Sequence, residues 1–221
     1  MEFDLAEFTG RLSYKLITST VLPRPIGWVV TADANGVANA APYSFFNAFS
    51  GSPAIVCLGM GRRSRSTPKD SLANIRTRGE FVVNGVSDDL VEAMNTTAVD
   101  FPAGWDELQT AGLTTVPSSR VSVPRIAASP VALECRLKQI IDIETTGHLV
   151  IAEVLVVHVR DDAVIDRAKA YIDSAKLRML GRMQSPGVYC RTHDSFTLPQ
   201  LDFAQWQADH PDARPPGPAA P

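Results

Sequence analysis

A short segment in the first third of the chain combines hydroxyl groups, basic groups and the expected start of a helix. Thr67 has a side chain suited to a helix N-cap, Pro68 suits the first helical position, and Asp70 stands at the capping-box spacing. The neighbouring side chains that add hydroxyl groups or positive charge are Arg62, Arg63, Ser64, Arg65, Ser66 and Lys69. Free N–H groups, the helix dipole and cations together suit an anion such as phosphate. A capped surface helix with basic neighbours would show the same pattern, so the segment alone leaves both interpretations open.

Composition indicates a globular protein with a hydrophobic core. The 221 residues are 45% hydrophobic and 20% charged, enough for one large domain or two small ones. The net charge of -3 shows no basic excess, so we expect no nucleic-acid partner. No apolar run approaches the about 20 residues that span a bilayer, and residues 1–4 lack the order of a signal peptide. The scattered cysteines, Cys57, Cys135 and Cys190, predict reduced thiols in a cytoplasmic protein without a membrane partner.

Apolar runs and turn residues predict a mainly β chain with helical excursions. A strand at 26–32, an Asn-Gly turn at 33–36 and a returning strand at 37–47 form a hairpin, and a third strand follows at 54–60. A helix is expected at 68–78, with Gly79 ending it and with Leu72 and Ile75 on its buried face. A strand at 80–85 should follow this helix.

The second half of the chain adds an excursion and two long strands. A helix is expected at 89–97, a Pro- and Gly-rich excursion at 100–129 with a helix near 105–111, long strands at 131–144 and 148–159, and a short strand at 163–165. This order favours an antiparallel barrel. A doubly wound parallel sheet fits less well, because no GxGxxG follows a strand.

Three segments together resemble the flavin reductase-like family of FMN-binding split barrels. They are PRPIGWV at 23–29, NAAPYSFFN at 39–47, and KDSLANI at 69–75 followed by GEFVVN at 79–84. Their order within about sixty residues carries the resemblance, and the general layout follows the family to about residue 190.

The resemblance implies a homodimer that holds one FMN per subunit near the dimer interface. Members of the family reduce flavin with NADH or NADPH, and many pass the reduced flavin to a separate monooxygenase. It also implies a single FMN-binding split-barrel domain over residues 1–200. Residues 201–221 would then be a C-terminal extension ending in a disordered Pro-rich tail.

The same resemblance identifies the residues expected to bind the cofactor. The flavin would be held by Asn39, Ala41, Pro42, Ser44 and Phe45, and the phosphate by Ser66, Thr67 and Lys69. Arg24 would neutralise the phosphate or fix the ribityl chain. Small side chains at 40, 41 and 44 let a flat ring approach the strand. Hydride transfer needs stacked rings more than an acid or base, so we expect no catalytic side chain and no metal.

The run at 181–189 departs from the family because it lacks the Gly pair expected between Arg182 and Tyr189. Three alternatives to a reductase therefore stay open: a flavoredoxin-like FMN electron carrier, an FMN enzyme acting directly on an organic substrate, and a binding module without cofactor. His148 and His158 lie in predicted strands and are interpreted as surface or interface residues. Asn74 is interpreted as a helix-surface residue that bonds a neighbouring loop.

Overall fold

The structure is a computed structural model that describes residues 1–62, 69–102, 105–143 and 147–212. Its α-helices in these ranges are α1 (Gly10–Thr20), α2 (Asp70–Arg78), α3 (Val91–Thr96), α4 (Glu107–Thr110) and α5 (Phe203–Asp209). Its strands are β1 (Arg24–Pro25), β2 (Gly27–Ala32), β3 (Ala38–Tyr43), β4 (Phe46–Gly51), β5 (Ala54–Gly61), β6 (Glu80–Asn84), β7 (Thr115–Val116), β8 (Arg125–Ile126), β9 (Val131–Ile143), β10 (Gly147–Val159), β11 (Val164–Asp166), β12 (Tyr171–Ile172), β13 (Leu180–Arg182) and β14 (Tyr189–Arg191). None of the described helices is long and apolar enough to cross a membrane.

Seven antiparallel strands form the main sheet in the order β3-β2-β6-β9-β10-β5-β4. Strands β3 and β4 follow each other in the chain but lie at opposite edges of this sheet. Only Ser44 and Phe45 separate them, so the chain leaves one edge and joins the other within two residues. The backbone N–H of Gly59 donates to the Phe45 carbonyl at 2.6 Å. The sheet therefore curls until its edges meet, as the barrel prediction requires.

Two hydrophobic clusters cover the two faces of the central strands. Trp28 and Val30 of β2 pack with the helices and loops of the excursion, where Met94 and Leu108 are buried. Val29, between them on β2, packs on the opposite face with α2, and all of β2 is buried. Because successive side chains point to opposite faces, a strand covered on both sides reads as a continuous apolar run. This burial explains the run at 26–32.

The first half of the fold confirms the predicted hairpin and the end of the helix. The Asp33 carboxylate accepts hydrogen bonds from the N–H groups of Asn35 and Val37, and Gly36 has φ 88°. Gly79 ends α2 in the left-handed region with φ 71°. The long returning strand predicted at 37–47 is wrong as one element, because the barrel junction divides it into β3 and β4.

The predicted start of α2 is wrong by two residues. Lys69 occupies the N-cap and makes no side-chain capping bond, and the helix begins at Asp70. The cap expected from Thr67 and the first turn expected at Pro68 fall outside the described residues. Leu72 and Ile75 are buried on one face of α2, as predicted.

In the second half, the two long strands match their predicted bounds within one residue. The helix predicted at 89–97 is a 3-10 turn at Asp88–Leu90 followed by α3, and the helix near 105–111 is the shorter α4. The short strand near 163–165 is β11. The three cysteines are free thiols. Burial raises the pKa of the Cys135 thiol to about 12, so this thiol stays protonated at neutral pH.

Candidate functional site

The junction between β3 and β4 opens onto a cleft of about 400 Å³. Ser44, Phe45 and Phe49 line one wall, and Ile17 of α1 and Leu149 of β10 line others. We call this the junction cleft. The Phe45 ring is 40% exposed, and its centre is 5.9 Å from the centre of the Tyr14 ring. A mainly apolar cleft with a few polar groups suits a flat aromatic ligand.

Glycine makes the tight junction possible. A Cβ on Gly59 would stand 2.8 Å from the Cβ of Phe45, closer than real side chains approach. On the other side of the barrel, a Cβ on Gly27 would meet the Phe46 ring at 3.0 Å. Both phenylalanines line the cleft, but Phe46 also packs against the core whereas Phe45 is 40% exposed. Phe45 is thus free to contact a ligand.

Lys69 brings positive charge to the end of β3. As the N-cap of α2 it precedes the free N–H groups of the first helical turn, where an anion is favoured. Its Nζ stands 5.6 Å from the centre of the Tyr43 ring, and Tyr43 directly precedes Ser44. The predicted phosphate ligand and the predicted ring-binding strand are therefore neighbours. Ser66 and Thr67 lie outside the described residues.

The structure gives Asn39 contacts within the protein. Its Oδ1 accepts from the Thr31 hydroxyl and, at 3.1 Å, from the Asn74 amide, and its Nδ2 donates to the Ser71 hydroxyl at 3.3 Å. The side chain therefore joins β2, β3 and α2. Asn74 bonds two strands rather than a loop. Its interpretation as a helix-surface residue missed this role because the α2 pattern gives no sign of which strands lie beneath it.

Ala41 and Pro42 occupy different surroundings on β3. Ala41 pairs with Val29 and packs against the hydrophobic cluster that Val29 forms with α2. Pro42 stands two residues after Ala40, whose backbone N–H bonds the Glu107 carboxylate at the free edge of the sheet. Residues two apart present their backbone groups to the same side, so Pro42 leaves no ladder bond unmade.

The matched family model describes a flavin reductase like domain and covers residues 19–193. An uncharacterised protein of Deinococcus radiodurans is 45% identical over 209 residues, which are 93% of this chain and 92% of that protein. The chain belongs to the flavin reductase-like family. The matched residues include every strand that lines the junction cleft, and they also include Lys69.

Solved structures agree with this family assignment. The Pseudomonas fluorescens 2-nitrobenzoate 2-nitroreductase NbaA is 33% identical with a TM-score of 0.83, over 92% of this chain and 98% of that one. Nitrilotriacetate monooxygenase component B from Bacillus cereus is 29% identical with a TM-score of 0.83, over 90% and 98%. A Shewanella frigidimarina protein described as a flavin reductase with a split barrel domain has 20% identity and a TM-score of 0.78, over 91% and 100%. This flavin reductase-like chain is therefore a split barrel.

Arg24 is the deepest predicted cofactor residue of this flavin reductase-like protein. Its Nη1 donates to the carbonyls of Thr18 at 2.7 Å and Val21 at 2.9 Å, and its Nη2 donates to the Met183 carbonyl at 2.6 Å. Burial lowers the pKa of the guanidinium, which stays charged because an arginine pKa lies far above neutrality. These bonds hold the end of α1 beside the junction cleft.

The donors at the junction cleft fit a flavin nucleotide. The Arg24 Nε is buried and has no hydrogen-bond partner among the described residues, so one donor at the cleft wall is left over. Ser44 adds a hydroxyl at the same wall, and Lys69 adds a cation at the end of the strand. An apolar wall, two donors and a separate cation match a ring joined to a phosphate.

Two acid–histidine contacts, each with one buried partner, were not found by sequence reasoning. His148, interpreted as a surface or interface residue, is buried with Nδ1 2.6 Å from the Asp142 carboxylate. The hydrogen bond from His148 lowers the pKa of Asp142. His158 lies 2.6 Å from Glu134, which is fully buried. Each partner lies on the neighbouring strand, so no local sequence pattern links the pair.

Proposed function

We propose that this protein is an NAD(P)H-dependent flavin reductase that holds FMN in the junction cleft. The observation that carries the proposal is the position of Lys69 against Tyr43, at the end of β3. This contact sets a cation and a helix N-terminus beside an apolar cleft, inside the region matched by the family model.

The side chains have separate tasks in this proposal. Lys69 and the first N–H groups of α2 bind the phosphate, together with Ser66 and Thr67. Phe45 and Ser44 contact the ring, and the Nε of Arg24 donates to the ring or ribityl chain. FMN, when bound, would supply the hydride-accepting chemistry, and these side chains supply position and an apolar wall that excludes water. Asn39 supports the strand through its side-chain hydrogen bonds to Thr31, Ser71 and Asn74, and Ala41 supports it by packing in the core.

A second copy of the chain completes the proposed site. Phe49, at the rim of the junction cleft, is 67% exposed, and Ile17 and Ile143 nearby are also exposed. A homodimer that covers this surface would bury it and shield the flavin. A monooxygenase would then receive the reduced flavin, as the likeness to nitrilotriacetate monooxygenase component B suggests.

The test is the visible spectrum of the purified protein, recorded without air before and after adding NADH or NADPH. We expect flavin bands that bleach with at least one donor, followed by catalytic reduction of added FMN. Bands that persist with both donors would overturn the reductase proposal and leave an electron carrier. A protein that stays colourless after soaking with FMN would overturn the cofactor proposal as well.

Direct reduction of a nitroaromatic acid is the second candidate. The likeness to a 2-nitrobenzoate 2-nitroreductase at 33% identity favours it. The open junction cleft leaves room for a substrate over the bound ring. The two candidates differ in NADPH or NADH consumption under nitrogen: a nitroreductase consumes the donor only when 2-nitrobenzoate is present, whereas a flavin reductase needs only free FMN.

A further inference from the structure

A second cleft, of about 1070 Å³, lies between residues 125–130, the end of β10 and the β11–β12 hairpin. We call it the basic cleft, because Arg125, Arg160, Arg167 and His158 line it. Asp161 is the one acidic residue among the described residues at its wall. A concave surface with an excess of one charge concentrates small ions of the opposite charge.

The basic cleft is far from the proposed flavin site of the same chain. Strand β10 begins at Gly147, which pairs with Gly61 just before the predicted phosphate segment. It ends at Val159, which lines the basic cleft. At about 3.3 Å per residue, the two ends are roughly 40 Å apart along the strand. The basic cleft also shares no lining residue with the junction cleft, so the described residues form two separate sites.

The imidazole at the floor of the basic cleft is held in one orientation. The Nε2 of His158 is 2.6 Å from Oε1 of Glu134. Oε1 also accepts from the backbone N–H of Ser119, and Oε2 accepts from the backbone N–H of Arg120, at 2.6 Å each. Burial alone would raise the pKa of Glu134, but the hydrogen bonds from His158 and the two N–H groups lower it. An ionised Glu134 fixes one ring nitrogen as a donor and so orients the ring.

Two of the arginines are left without partners. Within the described ranges, no hydrogen bond or ion pair engages the side chain of Arg125 or Arg167, and the Nε of Arg125 is buried. Arg160, by contrast, bonds the Asp162 carboxylate at 2.7 Å and the Lys176 carbonyl at 2.5 Å. A buried donor without an acceptor is costly, and a ligand oxygen would remove that cost.

We propose that the basic cleft binds a small dianion carrying carboxylate or phosphate groups. The forked guanidinium groups of Arg125 and Arg167 bind its oxygens, because such groups match the geometry of both kinds of anion. His158, held by Glu134, lines the cleft beside them. The site is separate from flavin binding, so it serves a second ligand of the protein.

Calorimetric titration of the full chain with inorganic phosphate and with malonate, at low ionic strength, tests this proposal. We expect one probe to bind with one site per chain, and Arg125→Gln and Arg167→Gln each to weaken it at least tenfold. Arg136→Gln is the matched control, since Arg136 is exposed on β9 away from the cleft. Preference for phosphate would indicate a phosphate monoester as the ligand, and preference for malonate would indicate a dicarboxylate.

Three results would overturn the proposal. In the first, neither probe binds. In the second, Arg136→Gln weakens binding as much as the cleft variants do, which would indicate that the overall charge of the protein alone attracts the anion. In the third, the cleft variants dissociate an oligomer in sedimentation without any anion binding, which would make the cleft an interface between copies. Because Arg167 is exposed, its variant keeps the test informative even if Arg125→Gln fails to fold.

Discussion

At the scale of single residues, the type of a side chain indicated its chemistry but not its partner. Arg24 and Asn39 were both expected to face the flavin. In the structure both Arg24 Nη groups donate to three carbonyls and the Asn39 amide bonds Thr31, Ser71 and Asn74, while the Arg24 Nε has no partner among the described residues. Lys69 makes no side-chain capping bond, so its charge is available to a ligand.

Replacing Lys69 with Met should weaken FMN binding about tenfold or more, because a charge-assisted hydrogen bond contributes about 1.5–3 kcal/mol. The quenching of FMN fluorescence on binding measures the dissociation constant. Lys138→Met is the control, since Lys138 forms a surface pair with Glu153. Equal affinity in the Lys69 and Lys138 variants would remove Lys69 from the phosphate site.

Replacing Glu134 with Gln should lower the free energy of unfolding at pH 7 by about 1–3 kcal/mol, because four donors, His158 and the N–H groups of residues 119–121, lose a charged acceptor. The lowered pKa of Glu134 in the folded state sets the pH dependence. Its stabilisation is present above the ordinary carboxyl value of about 4.3 and is lost as pH falls through the folded-state pKa. Urea unfolding from pH 7 to pH 3 should therefore show the gap between wild type and variant closing in acid.

Glu92→Gln provides the comparison for that series, because Glu92 is exposed on α3. Its unfolding free energy should follow that of the wild type across the whole pH range. A difference in unfolding free energy between wild type and Glu134→Gln that stays constant down to pH 3 would contradict the predicted role of the ionised Glu134 carboxylate.

At the scale of elements, the sequence predicted the end of α2 more accurately than its start. Gly79 ends α2 as predicted because the left-handed conformation there suits glycine above other residues. The start of α2 was predicted from Thr67 as the cap, whereas the structure has Lys69 at the N-cap without a side-chain capping bond.

Gly79→Ala should destabilise the protein by about 1 kcal/mol, because φ 71° is strained for alanine. Gly10→Ala is the control, since Gly10 is at an ordinary φ in the first turn of α1 and has open space around it. Chemical denaturation of both variants measures the difference. A Gly79 variant as stable as the Gly10 variant would show that the end of α2 tolerates the change.

Gly59→Ala should destabilise the barrel by about 1–3 kcal/mol and displace Phe45, because its Cβ would meet the Phe45 Cβ at 2.8 Å. Gly51→Ala, at the end of β4, has no atom within 4 Å and should leave stability nearly unchanged. FMN affinity gives a second readout, which should fall only in the Gly59 variant. An unchanged affinity there would separate Phe45 from the flavin site.

At the scale of the whole molecule, the barrel leaves apolar side chains exposed beside the junction cleft. Phe45, Phe49, Ile17 and Ile143 share this surface. An exposed patch of this kind is typical of a protein–protein interface. The proposed homodimer uses this patch.

Phe49→Asp should convert the proposed dimer into a monomer in sedimentation velocity runs, because a buried carboxylate at the interface has no partner. Ile165→Asp on β11 is the matched control, since Ile165 and Phe49 are both 67% exposed. It should leave the dimer intact. A monomeric wild type, or a Phe49 variant that remains dimeric, would contradict the use of this surface.

The sequence by itself determined the elements and their family. The apolar run at 26–32, the Asn-Gly turn and the Gly79 stop are local signals, and each predicted its element because backbone preferences act over a few residues. The three ordered segments also predicted the split barrel, which the family match and the solved structures confirm.

Tertiary structure alone decided how one predicted strand became two and which polar groups meet. The break at Ser44 and Phe45 exists because the closing sheet needs the chain at both edges, a demand set by strands far away in sequence. Glu134 and His158 are 24 residues apart and meet only through the pairing of β9 with β10. Such contacts depend on the register of the pair and on the bulges that shift it, which the residue types along either strand do not reveal.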